Sequence, residues 1–215
     1  MSRLFLMLAA AAVALLVVLV LLAQVAGSRY YEANYTMVYV FESPEGRQVF
    51  EVGWLLVGVG PENYTVAAMR VPGATLFIYG VTEGGLSRSI ICVGGVCRQF
   101  LLGDDVVPAG GGEAVVAGSC EHIGRRGVLY RFKGVPEELS QLLSLISTAG
   151  GISAGGSASA EVCLSGDILL WLRSGVDLEV AGRRISISAW LNATKVSPYN
   201  ATRYQEVLNR VKNSR

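Results

Sequence analysis

Four asparagines carry the clearest chemical pattern in this 215-residue chain. Of six asparagines, four begin an Asn-x-Thr triplet: Asn34, Asn63, Asn192 and Asn200. Four of the seven threonines stand in those triplets. One such triplet means little, but the set points to N-glycosylation and so to an extracytoplasmic domain. The four cysteines agree with that placement: Cys92, Cys97, Cys120 and Cys163. An even number of cysteines outside the cell reads as disulfides. A zinc site fits poorly, because the spacing is not that of a ribbon and the sole histidine, His122, lies two residues from Cys120.

Catalytic constellations are harder to find. His122 is flanked by Glu121 and Ile123 in an expected strand, where a structural histidine is the simpler reading. No Gly-x-Ser-x-Gly elbow occurs. Asp104, Asp105, Asp167 and Asp177 sit beside expected turns, where Asp is favoured in any case. No enzyme activity is expected, and neither a cofactor nor a metal site is assigned. An exported hydrolase using His122 or paired carboxylates stays open as a lesser alternative. A net charge of +1 gives no electrostatic footprint for nucleic acid.

The elements that position these residues begin with Leu4 to Ala26, an apolar run without charge or proline. Its 23 residues span roughly 34 Å as a helix, enough for a hydrocarbon core of about 30 Å. We expect a transmembrane anchor, with a cleaved signal peptide as the alternative. Gln24 stands where a small residue is wanted for cleavage after Ala26, and the run exceeds the usual signal length. Arg3 and Arg29 nearly balance, so the sequons set the orientation. Residues 1–3 become a cytoplasmic tip and residues 27–215 one extracytoplasmic β-rich domain at the plasma membrane, or secreted if the segment is removed.

Within that domain, alternation predicts a strand over 30–41. Tyr31, Ala33, Tyr35, Met37, Tyr39 and Phe41 face the core; Glu32, Asn34 and Thr36 face solvent. A second strand over 48–59 is apolar on both faces at its far end, so it is central or covered. Strands at 64–71 and 75–82 follow. Gly94-Gly95 then closes a two-residue hairpin that sets Cys92 opposite Cys97 in a closely spaced pair. That favours Cys92–Cys97 and Cys120–Cys163 among three connectivities. Further strands are expected at 114–122 and 128–134. Pro136 opens an amphipathic helix whose Leu139, Leu142, Leu143 and Ile146 share one face, for core packing or as a lid over an apolar cavity. Residues 149–160 read as a loop of small residues. Three short strands (168–172, 176–180 and 185–191) and a C-terminal helix over 201–213 complete a mainly β, β-rich α+β architecture: a curved antiparallel sheet, one inserted helix and a C-terminal helix.

As a pattern, the strands from Tyr30 to Phe100, the helix at 136–148 and the strands after Cys163 resemble the lipoprotein-carrier (LolA-like) half-barrel fold. The resemblance implies a curved sheet around an apolar cavity closed by helices, with a lipid or other apolar ligand. The chain departs from the family where Ala26 leads almost directly into a strand, without the amphipathic N-terminal helix. No family motif is matched, and no ligand residue is carried over. The functional expectation is therefore a membrane-anchored extracytoplasmic glycoprotein acting as a structural, interaction or binding module. Its partners are the bilayer and either an apolar ligand or a lateral membrane protein.

Overall fold

The structure is a computed structural model that describes residues 30–71, 73–83, 86–102, 113–133, 156–180 and 183–213. Eleven strands run in chain order: β1 (Tyr31–Ser43), β2 (Gly46–Val59), β3 (Asn63–Val71), β4 (Ala74–Glu83), β5 (Leu86–Val93), β6 (Val96–Leu102), β7 (Glu113–His122), β8 (Arg125–Lys133), β9 (Gly156–Ser165), β10 (Ile168–Val180) and β11 (Arg183–Pro198). One helix, α1 (Ala201–Asn213), follows. The strands form a single open antiparallel sheet in the order β6-β5-β4-β3-β2-β1-β11-β10-β9-β8-β7. The mainly β class, the antiparallel sheet and the C-terminal helix are thus as the sequence suggests. Residues 4–26 and 136–148, with the expected anchor and the lid residues Leu139, Leu142, Leu143 and Ile146, lie outside the described residues, as do Asp104 and Asp105. Among the described residues no helix is long and apolar enough to cross a membrane.

Three expectations need correction. Residues 168–180 form one strand, not two, because Gly175 pairs with Ser159 on one side and Ser188 on the other. The small residues Gly156 to Ala160 are the start of β9, where pairing with β10 and β8 outweighs their weak strand propensity. The outer face of β1 is not solvated throughout: Glu32 is only 5% exposed and Asn34 is half-buried.

The chain divides into two compact units. One comprises Ala26–Met37, Val52–Val107 and Ala193–Arg215. Here α1 lays Tyr204, Val207, Leu208 and Val211 onto Leu56, Tyr64, Val66, Val81, Ile90 and Cys92. An isolated helix of 13 residues is marginal in water. Each buried side chain adds about 1.5–3 kcal/mol, so packing rather than propensity holds α1. Leu55, Val57 and Val59 are buried as well, which explains why β2 is apolar on both faces at this end.

The other unit takes in the described residues of 38–51 and 108–192. Its strands β8 to β11 separate their faces cleanly. Tyr130, Val162, Leu172 and Leu191 line up on one face through direct pairs. Arg131, Glu161, Arg173 and Trp190 line up on the other. Cys120 and Cys163 are bonded across β8, beside Gly127. A Cβ at Gly127 would overlap the Leu164 backbone and press on Cys120 Sγ at 3.3 Å, so only glycine suits this crossing.

Candidate functional site

The sequence placed Glu32 in solvent, yet it anchors α1. Arg203 Nη1 donates to Glu32 Oε1 at 2.6 Å, and Tyr64 OH donates to Glu32 Oε2 at 2.5 Å. Both carboxylate oxygens are therefore satisfied, as a buried charge requires. Burial, and next the bond to Glu32, push the Tyr64 hydroxyl above its ordinary range, because ionisation would strand a charge there and break that bond. Burial raises Tyr199 and Tyr204 in the same direction. The Tyr64 ring lies 5.6 Å from Tyr199 and 6.5 Å from Tyr204, in tilted contacts. Two glycines make room for these rings. A Cβ at Gly58 would overlap the Tyr64 ring, and one at Gly60 would stand 2.6 Å from Tyr199 Cε2. Tyr199 OH also donates to the Glu62 carbonyl at 2.9 Å.

This end of the unit, where β1 begins, also gathers sequons. Asn200 caps α1: its Oδ1 accepts from the Arg203 N–H at 3.0 Å and its carbonyl from the Tyr204 N–H at 3.1 Å. Asn63 is exposed and its Oδ1 accepts from the Gly60 N–H at 3.1 Å. The Asn34 carbonyl accepts from Thr194 Oγ1 at 3.2 Å. In Asn63 and Asn200 the Nδ2 atom, the one a glycan uses, is left out of these bonds.

Farther along the same sheet face runs an apolar row in which Trp54, Phe77 and Cys97 are exposed while Ala68 and Cys92 are buried. Trp54 pairs with Ala68, Ala68 with Phe77, Phe77 with Cys92, and Cys92 with Cys97. Direct partners share a face, so these side chains form one line across β2 to β6. Trp54 is 45% and Phe77 38% exposed, although α1 buries the parallel row two residues away at Leu56, Val66 and Ile90. The Cys92–Cys97 disulfide, with Cα atoms 4.0 Å apart, ends the line. Its hairpin tip exposes Val93 and Val96. The two disulfides match the connectivity that the Gly94-Gly95 turn favoured, and they belong to an oxidising compartment.

His122 ends β7 and pairs with Arg125 across a tight turn in which Ile123 has a positive φ of 46°. Asp177 accepts a hydrogen bond from Ser186 Oγ, its direct cross-strand partner. Among the described residues no group of three or more His, Cys, Asp or Glu side chains forms a metal site. Sequence reasoning missed Glu32, Arg203, Tyr64 and Trp54 as site residues. Only the Asn200 cap had a local signal, an asparagine just before a helical pattern.

No protein-family model matches the chain. No curated protein matches it either. Among solved structures it aligns with a DUF1329 family protein from Desulfovibrio piger, at 10% identity over 87% of this chain and 92% of that one, with a TM-score of 0.31. It also aligns with the ywiB protein from Bacillus subtilis, at 9% identity over 79% and 96%, with a TM-score of 0.25. Likeness at this level carries no argument about function, and the architecture rests on the strand pairing described above.

Proposed function

We propose that this chain is a non-enzymatic, extracytoplasmic interaction module, N-glycosylated and held at the membrane through residues 4–26. The observation that carries the reading is the exposure of Trp54 and Phe77 in the row Trp54–Ala68–Phe77–Cys92–Cys97. Large aromatic side chains left half in water beside a well-packed helix mark a contact surface rather than an unfinished core. Asn63 lies five residues before Ala68 on β3, roughly 16 Å along the strand from the row, at about 3.3 Å per residue. Glycans at Asn63 and Asn200 crowd the β1 end and leave the row open. The occupant is a membrane-protein partner with a complementary apolar patch.

The test is gentle detergent purification of the native protein, with cross-linking and native mass spectrometry, beside the variant Trp54→Ala/Phe77→Ala. A stoichiometric protein partner that is lost in the variant supports the reading. A lone chain carrying a retained lipid replaces it with the carrier alternative. A lone chain without partner or lipid overturns both.

A further inference from the structure

Asn192 differs from the sequons at Asn63 and Asn200. Those two use their side-chain oxygens locally, in a turn and a helix cap. Asn192 lies inside the 16-residue strand β11, between Leu191 and Ala193, both buried. Asparagine is unfavourable in strands, and among the described residues no hydrogen bond engages this side chain. Its surroundings are aromatic. Trp171 on β10 is its direct cross-strand partner, and Trp190 stands two residues before it on the same face. All three are half-buried, so part of each side chain reaches solvent.

The two indoles are held in place by arginines. The Arg173 guanidinium stands 4.8 Å over the Trp171 ring and 4.9 Å over the Trp190 ring. Arg47 adds a second cation over Trp190, at 5.6 Å. Trp190 therefore has two guanidinium partners and Trp171 one. Such contacts fix ring orientation as well as contributing energy. A pyranose ring presents polarised C–H bonds on one face, and the negative face of an indole attracts them.

From this we infer that Trp171 is the stacking platform for the first sugar of a glycan attached to Asn192 Nδ2, with Arg173 and Trp190 fixing the platform. The inference rests on reading the chain as an exported glycoprotein and adds a structural role for one particular sugar. The glycan covers an indole that is otherwise wet, and the polar face of β10 and β11 becomes a protein–carbohydrate contact.

Glycopeptide mass spectrometry of the native protein is the first measurement. If all four sequons are bare, the glycoprotein reading fails and this inference with it. If others are modified and Asn192 is bare, this inference alone is overturned. With Asn192 modified, thermal unfolding is compared for the parent, Asn192→Gln, Trp171→Ala and the double variant, made in a host that modifies the other sites. Loss of the sugar should lower Tm by about 2–4 °C in the parent, a typical response for a domain of this size. It should have no effect in the Trp171→Ala background. An equal drop in both backgrounds removes Trp171 from the role. If Trp171→Ala does not fold, enzymatic deglycosylation of the parent gives the same decision: tryptophan emission shifts to the red when the indole is uncovered, and an unchanged spectrum overturns the inference.

Discussion

The Glu32–Arg203 pair gives the sharpest quantitative test. Substituting Arg203→Met keeps the aliphatic bulk near α1 and removes the cation. Glu32, with its side chain 7% exposed, is then a buried carboxylate with only the Tyr64 hydroxyl as partner. Breaking a fully buried pair from one side costs about 3–5 kcal/mol. Arg203 is 38% exposed, so solvent screens the pair and relaxes around the orphan; the expected loss falls to about 2 kcal/mol. For a domain of this size that lowers Tm by about 4–8 °C. Restoring neutrality should recover most of it: Glu32→Gln in the Arg203→Met background keeps an acceptor for Tyr64 and removes the stranded charge. The assay is thermal unfolding of both variants, with hydrogen exchange read across Ala201–Asn213. If Arg203→Met shifts Tm by less than 1 °C and α1 amides exchange as in the parent, the pair does not hold the helix. If Glu32→Gln recovers nothing, charge burial is not the cause.

Three further outcomes follow from the same packing. Tyr64 has its hydroxyl raised above the ordinary value of 10.0, so the folded state binds a proton that the unfolded state releases first. That contribution is complete below pH 10.0 and is lost as pH rises beyond it; alkaline denaturation should begin there and be less steep in Tyr64→Phe. Cys120 and Cys163 are 43 residues apart and Cys92 and Cys97 only 5. The chain-entropy model gives ~4 kcal/mol for the long bridge and ~2 kcal/mol for the short one, so denaturant midpoints should fall about twice as far for Cys120→Ser/Cys163→Ser as for Cys92→Ser/Cys97→Ser. Gly58→Ala should destabilise by about 1–3 kcal/mol through overlap with the Tyr64 ring, and Tyr64→Leu in that background should relieve part of the loss, as read by urea unfolding.

Local chemistry was legible in the sequence; remote coverage was not. The Gly94-Gly95 turn fixes the register of β5 and β6 within a few residues, which is why the Cys92–Cys97 pair followed from spacing alone. The C-terminal helix was legible from Tyr204, Val207, Leu208 and Val211 at helical spacing. Glu32 was misread because a charged residue in an alternating strand normally faces water, and the residue that neutralises it lies 171 positions later. Gly175 and the small residues from Gly156 to Ala160 carry weak strand propensity, and their pairing partners come from other hairpins. The apolar row needs four successive registers to bring Trp54 into line with Cys97, and no single stretch of sequence encodes it. The Trp171–Arg173–Trp190 stack likewise depends on the β10–β11 register.

The distance in sequence between Glu32 and Arg203 also bears on the order of synthesis. Glu32 leaves the ribosome 171 residues before Arg203. Until Arg203 arrives, no guanidinium can meet that carboxylate and α1 cannot cover Leu56, Val66 and Ile90. A chain that stops before Ala201 therefore lacks both the cover of that apolar sheet face and the cation for its acid.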